Sequence, residues 1–244
     1  MRRLFLLGFL VTACLVAFWL GRSAAPRVER SARAARTTTT STAGAVAVLR
    51  DSLRDARERL LRAIEQQDTY LPTMLAESDS MLRRWSERVE RPIRVYRPEA
   101  DVPGYTVAMG QAVDNAFARW ERVGGIPVSF SVVQDSSDVD VQVRWIEAFP
   151  VERAGQADIT WDRQGWVAHG TLTLATHTFG GQLLSPDAVQ TVALHEIGHL
   201  LGLGHSDDPR DVMYPSTEVH DLTLRDRATA QLLYALPPGS LRLP

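Results

Sequence analysis

Residues 195–205 read His-Glu-Ile-Gly-His-Leu-Leu-Gly-Leu-Gly-His, and no other stretch of the 244-residue chain restricts its fold so tightly. His195 and His199 are four apart, so a helix carries both imidazoles on one face and lets them grip the same ion. Gly202 tolerates the left-handed conformation that stops a helix, which allows His205 to turn back as a third ligand. Three nitrogens around a zinc ion leave one tetrahedral position for water, the arrangement of a catalytic rather than a structural site. Glu196, next to the first ligand, is placed to approach that water without ligating the metal. With 6 His, 12 Glu and 16 Gly in the chain, the five fixed positions arise by chance in about one of 10⁵ such sequences. A trio of ordinary core histidines is therefore a weak competitor. The alternative from another class is a zinc-containing peptide-binding module without turnover, and the presence of Glu196 argues against it.

Around this motif the chain reads as a mixed domain of strands and helices from residue 91 onward. Ser185-Pro186-Asp187 combines a cap, a first-turn proline and an acid near the positive end, which starts a helix expected to run to about residue 201. Residues 92–97 alternate as a short strand. Met109, Val113, Ala116, Phe117 and Trp120 mark an amphipathic helix between residues 103 and 123, closed by Gly124-Gly125. Residues 127–133 and 139–145 are β-branched runs, hence strands. Residues 170–175, Gly-Thr-Leu-Thr-Leu-Ala, alternate as a strand whose edge a peptide could extend.

The first 90 residues are organised differently. Arg2 and Arg3 precede an apolar run over residues 4–20, at the short end of what spans a bilayer. A signal anchor, a cleaved signal peptide and a lipidated Cys14 in Val11-Thr12-Ala13-Cys14 are the readings of residues 1–21, and all three export the rest of the chain. Residues 22–44, rich in Arg, Ala, Ser and Thr without apolar periodicity, read as a disordered tether. Leu49, Leu53, Ala56, Leu60 and Ile64 then draw one helical stripe, and a second helix is expected over residues 73–89 with Leu75, Leu82, Trp85 and Val89. Residues 45–90 thus form a helical spacer or prosegment. Residues 1–62 hold 12 Arg against 4 acids, whereas residues 63–244 hold 15 Arg against 25 acids. An acidic main body offers no cationic surface for nucleic acid. Cys14 is the single cysteine, which excludes an intrachain disulfide framework and a cysteine metal cluster.

The histidine motif, Ser206 directly after it and Asp211-Val212-Met213-Tyr214-Pro215 together resemble the matrixin (matrix-metalloproteinase-like) branch of the metzincin zinc proteases. Leu222-Thr223-Leu224-Arg225-Asp226 leading to Leu233-Tyr234, and Asn115 to Trp120 followed by Val128-Ser129-Phe130, are similar to further parts of the family; the likeness covers about residues 85–236. It implies an α+β catalytic domain: a twisted mixed sheet, a long active-site helix, a Met-turn and a C-terminal helix. It also implies a zinc-dependent endopeptidase acting on protein or peptide substrates. By that resemblance Met213 forms a hydrophobic floor beneath the zinc ligands, and Tyr214 and Pro215 help wall the pocket beside the scissile bond. Thr223 and Asp226 make a capping pair for the last helix.

The sequence also departs from the family. Matrixins usually hold a second, structural zinc with three histidines and an aspartate; here that region offers His169 and His177 with Asp158 and Asp162, and a second zinc is not expected. Calcium stays an option through acids such as Asp138, Asp140 and Asp158. Zymogen latency through a prosegment cysteine is not expected, since Cys14 lies in the apolar leader. His220 reads as a surface residue. Neither an oligomeric state nor a side-chain preference follows from the sequence.

Overall fold

The structure is a computed structural model that describes residues 31–78 and 80–241, with side chains from residue 44 onward. The apolar run at residues 4–20, with Cys14, lies outside the described residues. Among those described, no helix is long and apolar enough to cross a membrane. The chain divides into two compact units, residues 1–51 and residues 52–244.

Helix α1 (Ser31–Glu65) begins inside the stretch expected to be a disordered tether. The tether reading relied on the lack of an apolar stripe, but alanine and arginine favour helical backbone whether or not a face exists to bury. The stripe further along is helical as expected. Leu49 and Leu53 are exposed, whereas Ile64 is buried.

Residues 73–89 correct the second expected helix. Only α2 (Leu71–Glu77) is helical there, capped at Ser78; β1 (Met81–Leu82) and the start of β2 (Arg88–Tyr96) come next. Ser78 and Ser80 compete for backbone hydrogen bonds, and Ser80 takes a positive φ of 59° that ends the helical course. Leu82 and Trp85 reach the interior from extended chain instead. Ile64, Tyr70, Leu71, Met74, Leu75, Leu82 and Trp85 share one hydrophobic core with Phe117, Trp120, Leu172 and Leu194. Residues 64–85 therefore contribute side chains to the domain's core rather than forming a spacer before a boundary at residue 91.

The remaining elements are α3 (Val107–Glu121), β3 (Val128–Val133), β4 (Val141–Ile146), β5 (Gly155–Trp161), β6 (Val167–Ala175), α4 (Pro186–Leu200), α5 (Leu224–Ala235) and β7 (Gly239–Ser240). Among the described residues, a five-stranded sheet has the order β3-β2-β4-β6-β5, and β1 pairs with β7. The β2–β3, β2–β4 and β4–β6 ladders are parallel, and β5 runs antiparallel to β6. This is the mixed α+β architecture that the resemblance implies. It corrects one expectation: residues 170–175 lie between β4 and β5, so they offer no free edge. The edge is β5, a strand whose sequence Gly-Gln-Ala-Asp-Ile-Thr-Trp lacks a two-residue apolar alternation because most of it is not fully buried.

Helix α4 is fixed by its neighbours. Ser185 Oγ accepts from the Ala188 amide at its start. Trp120 Nε1 donates to the Leu194 carbonyl at 2.8 Å, Trp85 Nε1 to Leu200 at 2.8 Å and the Tyr234 hydroxyl to Leu201 at 3.1 Å. The last two satisfy carbonyls that a helix terminus leaves without intrahelical partners.

Candidate metal centre

Helix α4 ends in a Schellman turn. Leu203 N donates to the Gly198 carbonyl and Gly202 N to the His199 carbonyl, with Gly202 at φ 98°. A Cβ on Gly202 would lie 1.9 Å from the Arg83 carbonyl oxygen, so space as well as torsion demands glycine. The turn swings His205 back toward the helix. The ligand atoms of His195, His199 and His205 all lie within 4.8 Å of one another.

The ring nitrogens are oriented from outside. His195 Nδ1 donates to the Val212 carbonyl at 2.7 Å and His199 Nδ1 to the Leu203 carbonyl at 2.8 Å. With both Nδ1 protons committed, the two Nε2 lone pairs face each other 3.1 Å apart. A cation between them relieves that repulsion, and neutral imidazoles are the form that binds one. Burial favours the neutral form: desolvation lowers His195, His199, down to about 3, and His205, the last opposed by the Glu77 carboxylate. The donor set fits a zinc ion.

Glu196 is buried beside this trio. Desolvation pushes its carboxyl up to about 7, while a hydrogen bond from the Ala157 amide of β5 acts the other way. Gly155 makes the approach of β5 to α4 possible: a Cβ there would lie 2.7 Å from Glu196 Cγ and 2.5 Å from Val192 Cγ1. Met213 is fully buried. Its sulfur packs against Gly198, where a Cβ would lie 2.2 Å away, so it sits beneath the helical turn that joins His195 to His199. Pro215 is exposed and lines the cleft on both sides of Glu196, with Tyr214 half-buried before it.

Two features were not marked by sequence pattern. Asp226 forms the expected capping box with Thr223, but its carboxylate also accepts from the Val212 amide at 3.0 Å and the Met213 amide at 3.4 Å. The first turn of α5 thereby holds the loop whose Val212 carbonyl orients His195. Ser206, buried behind the third histidine, donates to Asp211, which pairs with Arg225 Nη1 at 2.8 Å. A run of Asp and Arg after a histidine motif was the available signal, with nothing to say which pairs form. His220 is exposed, and its Nδ1 lies 2.8 Å from Thr191 Oγ1, on the wall of a pocket of about 170 Å³ beside Glu196.

The residues considered for other metals are spread over the sheet and its loops, several with hydrogen-bond partners of their own. His169 lies on β6 opposite Thr160, and His177 Nδ1 is 2.9 Å from Thr176 Oγ1. Asp158 accepts from Gln156, Asp162 from the Gln164 and Trp166 amides, and Asp140 from Arg88 and the Arg94 amide. The Asp138 carbonyl accepts from Arg94 Nε.

A histidine trio on one helix and the turn after it, with a methionine beneath, places the domain among the metzincins. Within that class the chain belongs to the matrixin family, whose profile matches residues 84–235. Metalloendoproteinase 1-MMP of Arabidopsis thaliana is 35% identical over 153 residues, covering 52% of this chain and 38% of that protein. Metalloendoproteinase 1 of Glycine max is 43% identical over 77 residues, 30% of this chain and 23% of the relative. Matrilysin of Rattus norvegicus is 52% identical over 48 residues, covering 18% of each. The chain thus spans well under half the length of these curated relatives.

Proposed function

We propose that the chain is an exported zinc-dependent endopeptidase in which Glu196 is the general base. The observation that carries this reading is the convergence of three imidazoles next to a buried carboxylate that has no ion-pair partner among the described residues, in an open cleft. His195, His199 and His205 would hold a zinc ion, which would supply Lewis acidity toward the scissile carbonyl and a bound water. Glu196 takes the proton from the attacking water and passes it to the leaving nitrogen. Burial helps this second role, because a carboxyl raised toward neutrality holds a proton long enough to deliver it. Met213 supports the ligands from below, and Pro215 positions the substrate beside them.

The substrate adds as an antiparallel strand to the free edge of β5, which runs past Glu196 and fixes register through main-chain hydrogen bonds. Export rests on the pattern of residues 2–20; attachment by an anchor, release by cleavage and lipidation of Cys14 all satisfy it. The test pairs two measurements on one sample. Glu196→Gln should retain zinc while turnover of a peptide library falls at least a hundredfold, and a chelator should abolish wild-type turnover until zinc is restored. Undiminished turnover in the Gln variant removes Glu196 from this role. A folded, zinc-loaded wild type that leaves the library intact supports the binding-module alternative.

A further inference from the structure

The cleft continues past the imidazoles. Along β5 the pocket walled by Thr191 and Pro215 adjoins Gly155, the histidines face Gly155 to Ala157, and a second pocket of about 390 Å³ adjoins Ala157 and Ile159. The opposite wall of this second pocket is α2 and β1, through Met74, Glu77, Leu82 and Arg83. These four residues precede residue 84, where the matrixin match begins. The wall is therefore built by a part of the chain that the family match does not reach.

Its chemistry is uneven. Met74 and Leu82 are buried and make an apolar base. Arg83 lays its guanidinium over the Trp161 ring, 4.0 Å from the centroid, at the far end of β5. Glu77 is exposed at the end of α2 and has no ion-pair partner among the described residues. A long side chain with an apolar stem and a cationic end matches that combination, its methylenes against Met74 and its charge at Glu77. An acidic side chain would meet Glu77 as a like charge.

We propose that this pocket is the subsite for the residue two or three positions before the scissile bond, and that Glu77 selects arginine or lysine there. The proposal rests on the endopeptidase reading and on antiparallel addition to β5. Since β5 runs from Gly155 beside Glu196 toward Trp161, an antiparallel substrate places its earlier residues opposite Ile159. Ala157 lines both the histidine cleft and this pocket, and Ile159 lies two residues further along β5 at about 3.3 Å per residue, which sets the pocket opposite substrate residues two or three before the scissile bond.

The test uses the full chain and peptide pairs that differ only by Arg or Gln at each position around the cleaved bond. The wild type should favour Arg about fivefold in kcat/KM at one position two or three before that bond, the scale of a partly solvated ion pair. Glu77→Gln should bring the ratio near unity, and Glu77→Arg should invert it in favour of Gln. A ratio unchanged in Glu77→Gln overturns the assignment, as does a basic preference located after the scissile bond. Cleavage of no peptide by the zinc-loaded wild type sinks the endopeptidase reading itself and is distinguishable from either result.

Discussion

Gly198 shows how much a single position within the histidine motif is constrained. It lies between His195 and His199 and directly over Met213, and an added Cβ would sit 2.2 Å from the methionine sulfur and 3.2 Å from Trp120. Alanine has the better helix propensity by about 1 kcal/mol, yet the collision in a close-packed interior outweighs it. Gly198→Ala should destabilise the domain by about 1–3 kcal/mol in denaturant unfolding. Combining it with Met213→Ala should cost less than the two changes summed, because the second removes the atom that the first strikes. His195, Glu196 and His199 were legible from spacing because helical geometry dictates their relation, and Gly202 signalled the turn that returns His205. Gly198 and the second role of Asp226 were not, since both depend on what the rest of the chain brings beneath the helix.

Among the elements, the pairing of β5 with α4 decides whether the site works. Gly155 lets the strand approach closely enough for the Ala157 amide to bond the Glu196 carboxylate. Gly155→Ala should therefore lower kcat by about tenfold to a hundredfold, the effect of displacing a reacting group by part of an ångström. Zinc content should stay near stoichiometric, because the ligands lie on α4 and its following turn; steady-state kinetics with metal analysis checks both. The parallel strands and helices α3, α4 and α5 were readable from β-branched runs, periodicity and caps. The edge strand β5 was not, because a strand with one neighbour and much solvent carries little apolar alternation. For the same reason residues 170–175, whose alternation is strong, turned out to be interior to the sheet.

At the scale of the whole molecule, the domain is larger than its motifs suggest. Tyr70, Leu71, Met74, Leu75 and Leu82 are buried, and Tyr70 also bonds Asp226 and Thr229 of α5. Burying five such side chains contributes on the order of 10 kcal/mol, comparable to the ~5–15 kcal/mol that holds a typical domain folded. A chain trimmed to residues 84–244 should therefore lack a cooperative thermal transition, whereas residues 52–244 should keep one; circular dichroism melts compare them. Sequence periodicity suggested a separable helical spacer here because Leu75, Leu82 and Trp85 fit a helical stripe as well as they fit a short helix followed by extended chain. The burial of these side chains bears on where the chain can be shortened. Residues 44–55 form a solvated helix, whereas Ile64, Tyr70, Leu71, Met74, Leu75, Leu82 and Trp85 anchor the segment that follows. Removal of the leading segment without loss of the fold is thus confined to cuts upstream of Ile64, and the trimmed chain keeps Glu77 at the rim of its cleft.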